Sequence, residues 1–160
     1  MKAKDGRAST DRRVKHRQVR AQAQQLHPAR RGSLQQEDMM DGVLFANAAA
    51  AGTPYRGWFV GHFVRGLGQT SDVEIKWGVH PKGQQNGSFA TNARAHSLSV
   101  LVSGRFRIIF ESGGEREEVM LEKAGDFALW KPGVPHDWVA EEDSVVLTVR
   151  WPSIPRDQGA

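Results

Sequence analysis

Hydrophobic and polar residues alternate along much of the chain after residue 55, with the two-residue period of a β-strand. The strictest run is Val73–His80, where apolar residues take the odd positions and polar residues or glycine take the even ones. A longer run, Leu98–Phe110, contains Gly104, where we expect a bend or a bulge, and it ends at the hairpin sequence Ser112–Gly114. Trp58–Val60 and Phe63-Val64 form a first apolar segment, and further strands are predicted at Val119–Leu121, Phe127–Trp130, Trp138–Ala140 and Val145–Trp151.

These strands are short, turns rich in Gly and Pro separate them, and no helical pattern follows residue 55. This order of elements predicts an all-β fold, either a sandwich or a barrel. A length of 160 residues suits a single domain. We assign that domain to residues 41–160, with a core at about 55–153, and treat residues 1–40 as an extension.

The extension differs in composition from the rest of the chain. It holds few large apolar side chains, so it cannot bury enough surface to offset the entropy lost on ordering. Residues 1–38 contain ten basic and four acidic residues, a net charge of +6, whereas the remainder carries −2. We predict a disordered basic extension. An arm that binds nucleic acid or another acidic surface is one alternative, and a misassigned start upstream of Met39 or Met40 is another.

Composition excludes several classes of function for the domain. The sequence contains no cysteine, which rules out disulfides, thiolate chemistry and zinc–thiolate sites. No apolar run is long enough to span a bilayer, and Val43–Ala51 is too short and alanine-rich for a secretion signal. The domain also lacks a basic face, so we expect no nucleic acid partner for the barrel and no membrane partner. A cytoplasmic location is the prediction that follows.

The alternation also predicts which side chains face the core. In Val73–His80 the odd positions are the better core candidates, which leaves Glu74 and Lys76 on the opposite face with His80. On an outer face this acid and amine would be solvated. On an inner face they would be desolvated and positioned for proton transfer or for binding a polar ligand. In the next strand, Leu98 and Val100 predict an inner face at even positions, which would carry His96 inward.

The most informative stretch is Gly125–His136. Gly125-Asp126 predicts a tight turn, Phe127–Trp130 is a short apolar strand, and Pro132-Gly133 reverses the chain. His136 is thereby placed at the entrance of another strand, a common position for a site residue on a β-scaffold.

Three segments in order resemble the cupins. Gly125–His136 resembles the second cupin motif, Leu101–Phe106 resembles the centre of the first, and His80–Gly83 resembles the turn that precedes it. The resemblance covers about residues 55–153. It implies a double-stranded β-helix, or jelly-roll, barrel.

In cupins that bind metal, the histidine of the second motif, His136 here, is one of four ligands. The first motif supplies two more histidines and a glutamate seven residues before its glycine. Counting back from Gly104 puts Ser97 at the glutamate position and Asn92 among the histidine positions. Serine and asparagine are weak ligands for transition metals, so no cofactor is assigned with certainty from the resemblance.

A divalent metal is left open in one rearranged form. His80, His96 and His136 would provide three nitrogen ligands and an open position, the pattern of a catalytic metal centre. The competing interpretation is that each histidine is hydrogen-bonded or solvated.

Three hypotheses for function follow. The first is a domain that binds a small polar molecule, sugar-like or carboxylate, in the barrel mouth. The second is an enzyme, either a metal-dependent oxygenase or isomerase, or a metal-free epimerase or isomerase with His136 as general base. The third is an interaction module, with a homodimer that exchanges or docks Tyr55–Val64 between protomers. The candidate ligand-binding residues are His96, His136, Trp138, Asn92, Glu74 and Lys76.

Overall fold

A computed structural model describes residues 38–40 and 42–159. The predictions for residues 1–37 therefore lie outside the described residues. Asp38–Met40 forms strand β1 and pairs with β2, Val43–Phe45. The predicted domain boundary at residue 40 thus falls within a β-hairpin.

Strands dominate the rest of the described chain, as the alternation predicts. A short helix, α1, spans Ala48–Gly52, and single 3-10 turns lie at Thr53–Tyr55 and Gly66–Gly68. The strands that follow are β3 Trp58–Val60, β4 Glu74–His80, β5 Thr91–Asn92, β6 His96–Ser103, β7 Phe106–Ser112, β8 Glu115–Leu121, β9 Phe127–Trp130, β10 His136–Ala140, β11 Ser144–Trp151 and β12 Gln158–Gly159.

Two antiparallel sheets form the barrel. One has five strands in the order β3-β4-β11-β6-β9, and the other has three in the order β10-β7-β8. The turn between β6 and β7 is made at Gly104, whose φ of 88° suits glycine, and a Cβ there would collide with the Asp143 carbonyl oxygen. The bend predicted at Gly104 is therefore confirmed.

The inner faces of the two sheets enclose one apolar core. Its buried residues come from both sheets: Leu101, Phe106, Ile108, Leu121, Ala128, Ala140 and Val146. Phe110, Trp130 and Trp138 pack against this cluster at one side and are only partly buried. The core thus fills part of the barrel, and aromatic rings mark the side where it stops.

The predicted faces of β4 and β6 are wrong. In β4 the even positions point inward, since Glu74 is 8% exposed, whereas Val79 is 63% exposed. In β6 the odd positions point inward, with Ser97 and Leu101 almost fully buried. The alternation was misleading because the inner face is polar where it borders a cavity and the outer face is apolar.

The C-terminal segment is fixed across the entrance to β6. The Asp157 carboxylate accepts hydrogen bonds from the backbone N–H groups of Arg94, at 3.0 Å, and Ala95, at 2.9 Å. Strand β12 then pairs with β5. This segment therefore lies against β5 and against the residues that lead into β6.

Candidate functional site

His136 enters the barrel as the motif predicts. The turn that includes Gly133, whose φ is 80°, leads into β10, and His136 at its start is 7% exposed. Its Nδ1–H donates to the Val134 carbonyl oxygen over 3.1 Å, and its ring lies 4.8 Å from the Trp130 ring. Because Nδ1 carries the proton, Nε2 is left as an acceptor.

His80 is the second histidine of the interior. Its Nδ1–H donates to Gln84 Oε1 over 2.9 Å, and its ring packs 4.5 Å from Trp138. Gly78 makes room for this ring, because a Cβ on Gly78 would lie 2.5 Å from His80 Nε2. The position of the His80 ring therefore depends on the absence of a side chain at Gly78, two residues earlier on the same face of β4.

Both interior histidines are neutral at neutral pH. Burial is the main cause that lowers the pKa of His136, and the nearby Arg150 charge lowers it further. Burial likewise lowers the pKa of His80. The two rings are thus available as neutral hydrogen-bonding groups.

Two cations lie on the same inner face. Lys76 on β4 pairs with Thr148 on β11, and Arg150 lies two residues further along β11. Both face the indole of Trp58, with Arg150 Cζ at 4.6 Å and Lys76 Nζ at 5.8 Å from its centroid. Burial is the main cause that lowers the pKa of each, and for Lys76 the charge of Arg150 adds to it.

One buried carboxylate partly balances these charges. Glu74 Oε1 accepts a hydrogen bond from Ser153 Oγ–H over 3.1 Å, and Arg150 Nη1 lies 3.9 Å from Glu74 Oε2. His62 Nδ1 is 2.7 Å from Ser153 Oγ and completes this cluster. Among the described residues, Lys76 has no carboxylate within 4.0 Å. The Asp157 side chain, 8% exposed, is a second carboxylate whose charge acts on Arg150, so Lys76 is the cation of this face that lacks a nearby counter-charge.

Two buried donors of this region have no hydrogen-bond partner among the described residues: Arg150 Nε and Trp130 Nε1. Unpartnered buried donors are rare in folded proteins, because each one loses the water that solvated it in the unfolded chain. Both belong to residues that line one cavity, so a bound acceptor would satisfy them.

That cavity, the inner cavity, has a volume of about 80 Å³. Aromatic, cationic and imidazole groups line it, among them Trp58, Lys76, His80, Ser99, Trp130, His136, Trp138, Thr148 and Arg150. A second and larger hollow, the outer pocket, has about 300 Å³ and shares Trp58 and Arg150 with it. His62, Glu74, Asn92, Arg156 and Asp157 are among the residues around the outer pocket.

The residues at the cupin ligand positions do not fit a metal. Asn92 Nδ2 donates to Ser97 Oγ over 2.6 Å, so these two side chains bind each other. Asn92 is 3% exposed and borders the outer pocket, and Ser97 is fully buried. Within residues 38–40 and 42–159, no group of three or more His, Asp or Glu side chains is arranged to hold a metal ion.

The rearranged three-histidine site is also wrong. His96 lies on the outer face of β6, is exposed, and stacks on Trp151 with ring centroids 5.5 Å apart. Its predicted inward direction followed from the wrong face assignment, so it cannot join His80 and His136. The ligand-binding prediction for His96 fails for the same reason.

The other predicted ligand-binding residues line either the inner cavity or the outer pocket. His136, Trp138 and Lys76 line the inner cavity, whereas Glu74 and Asn92 border the outer pocket. Neither Arg150 nor Trp58 was among the site residues predicted from the sequence. A polar run of Ser97, Ser99, Thr148 and Arg150 inside otherwise apolar strands was the available signal for this site.

Comparison with solved structures identifies the fold. Peruvianin-I, a cysteine peptidase from Thevetia peruviana latex, shares 22% identity and a TM-score of 0.53 over 66% of this chain and 67% of its own. Oxalate decarboxylase from Bacillus subtilis, a cupin, shares 15% identity and a TM-score of 0.50 over 56% of this chain and 24% of its own.

A Klebsiella pneumoniae protein with a double-stranded β-helix domain is similar at 21% identity and a TM-score of 0.49, over 56% of this chain and 70% of its own. No family model and no curated protein matches the sequence. At these identities the likeness extends to the fold alone. In the described part of the chain, no helix has the length and apolar character needed to cross a membrane.

Proposed function

The chain has the double-stranded β-helix fold of the cupins, and from this fold and its interior we propose that it is a binding domain for a small carboxylate. The inner cavity is the binding site. The observation that carries the proposal is Lys76, which is partly buried, lines the same cavity as Arg150 and has no carboxylate within 4.0 Å among the described residues.

Charge supports an anionic ligand. Burying a cation without a counter-charge costs free energy, because the cation loses its hydration. A bound anion would offset this cost by pairing with the cation. The pKa of Lys76 is lowered chiefly by burial and then by the charge of Arg150. A carboxylate bound between Lys76 and Arg150 would raise the pKa of Lys76 again, because it stabilises the charged form. Binding of an acid is therefore coupled to the charge of Lys76.

Hydrogen-bonding capacity supports a carboxylate in particular. Arg150 Nε and Trp130 Nε1 are unpartnered donors, and a carboxylate offers about four acceptor sites. The Nε2 atom of His136 is an acceptor, which suits a hydroxyl on the same ligand. About 80 Å³ is room for several waters or for a compact acid of a few heavy atoms.

A metal-free isomerase or epimerase is the second candidate. His136 is neutral, is oriented by the Val134 carbonyl, and lines the cavity that also holds Lys76. A neutral imidazole can remove a proton beside a carboxylate while a cation stabilises the developing negative charge. A cysteine nucleophile of the kind used by cysteine peptidases is absent from the sequence. The cytoplasmic location stays a prediction.

The proposal is tested by thermal shift and calorimetry with a panel of small mono- and dicarboxylates. Each acid is compared with its neutral amide. We expect at least one acid to raise the melting temperature while its amide does not, since ligands that bind only the folded state stabilise it. A panel without any carboxylate-specific stabilisation contradicts the proposal.

Matched variants locate the site. Lys76→Met removes the inner charge while keeping the length of the side chain, and Lys131→Met removes an exposed lysine from the turn before His136. We expect Lys76→Met to weaken binding of the acid about tenfold or more, because a buried charge-assisted hydrogen bond contributes about 1.5–3 kcal/mol. Lys131→Met should bind as the native protein does, and equal losses in both variants would exclude the inner cavity.

A further inference from the structure

Lys76 is held in the wall of the inner cavity by its neighbours. Its aliphatic stem passes beside Gly57, where an added Cβ would lie 3.3 Å from Lys76 Cε. Its Nζ lies 5.8 Å from the centroid of the Trp58 ring, and the residue as a whole is partly buried. The other lysines in the described part of the chain are exposed: Lys82, Lys123 and Lys131.

The charges that act on Lys76 are positive. Arg150 lines the same cavity and lies against the same indole, with Cζ 4.6 Å from its centroid. After burial, the charges of Arg150 and Arg56 are the causes that lower the pKa of Lys76. A lysine that is desolvated beside another cation holds more of its neutral amine, which is the nucleophilic form of the side chain.

Resting on the proposed carboxylate site, we propose that Lys76 is a nucleophile that forms an imine with a short-chain 2-oxo acid bound in the inner cavity. Such an acid carries a ketone on the carbon next to its carboxylate. The unpartnered donors Arg150 Nε and Trp130 Nε1 would hold the carboxylate, and the ketone carbon would then be presented to the Lys76 amine.

Two cationic side chains can thus serve separate purposes in one cavity. The guanidinium of Arg150 stays protonated and binds the carboxylate in a fixed geometry, whereas an ammonium loses its proton more readily when it is buried. A second permanent cation would bind the acid equally well but could not react with it. Once the protonated imine has formed, its positive charge is stabilised by the carboxylate of the same ligand.

The step conserves atoms and electrons without a co-reactant. The lone pair of Nζ forms a bond to the ketone carbon, and the electron pair of the C=O double bond moves to oxygen. Two protons leave the nitrogen in turn and depart with that oxygen as one water molecule, which leaves a C=N bond. His136, a neutral imidazole in the same cavity with Nε2 as an acceptor, is placed to carry these protons from nitrogen to oxygen.

The test is reductive trapping on the full-length protein with pyruvate and sodium cyanoborohydride, which converts an imine to a stable secondary amine. Intact mass should rise by one pyruvic acid less one oxygen atom. Peptide mapping should show Lys76 labelled about tenfold or more faster than Lys131, because an exposed lysine is almost fully protonated at neutral pH. Lactate, which lacks the ketone, should give no adduct. Acetone, which lacks the carboxylate, should show no preference for Lys76.

Matched variants assign the reaction to one residue. Lys76→Arg keeps the positive charge but supplies no amine, so its labelling should fall to the background of the exposed lysines while its circular dichroism spectrum stays native. Lys131→Met should be labelled at Lys76 as fast as the native protein. Native Lys76 labelled no faster than Lys131, or a fast adduct that persists in Lys76→Arg, would overturn the inference.

Thermal shift with pyruvate, measured in parallel, separates this inference from the binding proposal on which it rests. Stabilisation by pyruvate without trapping at Lys76 would keep the carboxylate site and overturn the imine. Absence of both trapping and stabilisation by any acid would overturn the two together.

Discussion

The two faces of the five-stranded sheet invert the usual distribution of polar and apolar residues. Along β4 the inner face presents Glu74, Lys76 and His80, while the outer face presents Ile75, Trp77 and Val79. The inner face is polar because it borders the inner cavity and the outer pocket. The outer face is apolar although Val79 on it is 63% exposed. Periodicity identifies faces, but it does not say which face is inside.

The largest loss of stability should come from removing Arg150, the cation that lines both the inner cavity and the outer pocket. Arg150→Met leaves the Glu74 carboxylate buried beside Ser153 without its cation, so we expect a loss of about 3 kcal/mol in the free energy of unfolding. Chemical denaturation measures it. Adding Glu74→Gln should restore part of the stability but not the binding of a carboxylate. A double variant that regained binding would show that Arg150 acts only through Glu74.

Gly78→Ala tests how closely the inner face is packed around a functional ring. The added methyl would lie 2.5 Å from His80 Nε2, so the imidazole must move away from Gln84 and Trp138. We expect a cost of about 1–3 kcal/mol, typical of overpacking, together with a change in tryptophan fluorescence. Gly83→Ala is the control, because nothing lies within 4 Å of a Cβ there, although its φ of 81° adds some strain. Unchanged fluorescence in Gly78→Ala would contradict this packing.

The inner histidines should also make stability depend on pH. Burial lowers the pKa of His80 and His136 in the folded state, so below the ordinary value of 6.5 the unfolded chain binds more protons. Their contribution is complete above pH 6.5 and is lost as the pH falls toward the folded pKa values. Melting temperatures between pH 6.5 and about 5 should therefore decrease.

In the variant His80→Gln/His136→Gln, the melting temperature should decrease less as the pH falls. The variant His96→Gln, changed on the exposed outer face, should show the same pH dependence of the melting temperature as the native protein. The slope of melting temperature against pH is the measurement. A native slope in the double variant would assign the acid sensitivity to other groups.

The smallest effect is expected on the outer face of the five-stranded sheet. Val79→Thr changes a side chain that is 63% exposed, so the monomer should lose less than about 0.5 kcal/mol. The same substitution at Val146, 2% exposed on the inner face, should cost about 1–3 kcal/mol because it buries a hydroxyl. Denaturation at low protein concentration compares the two. Equal costs would mean that Val79 is covered within a single copy.

Much of the fold was predictable from the sequence. The strands β4, β9, β10 and β11 lie where alternation and turn residues placed them, whereas the single run predicted over Leu98–Phe110 is two strands, β6 and β7, that belong to different sheets. The Asp126 carboxylate accepts from the N–H groups of Glu122 and Lys123, which confirms the predicted turn before β9. Local signals of this kind depend on neighbouring residues and are readable without tertiary contacts.

The site was less predictable, since it depends on contacts between distant residues. His136 and Trp138 were correctly placed in the interior, whereas His96 was not, because β6 has apolar residues on both faces. The pairing of Arg150 with Glu74 and the hydrogen bond of Asn92 to Ser97 depend on strand register. Alternation alone cannot choose between two registers or two faces.

The position of Asp157 has a practical consequence for handling the protein. Its carboxylate holds the N–H groups of Arg94 and Ala95, and the segment around it forms part of the wall of the outer pocket. A tag or fusion partner inserted next to Asp157 would disturb both hydrogen bonds and this wall of the outer pocket. A ligand screen on a protein altered in this segment would therefore test a changed pocket.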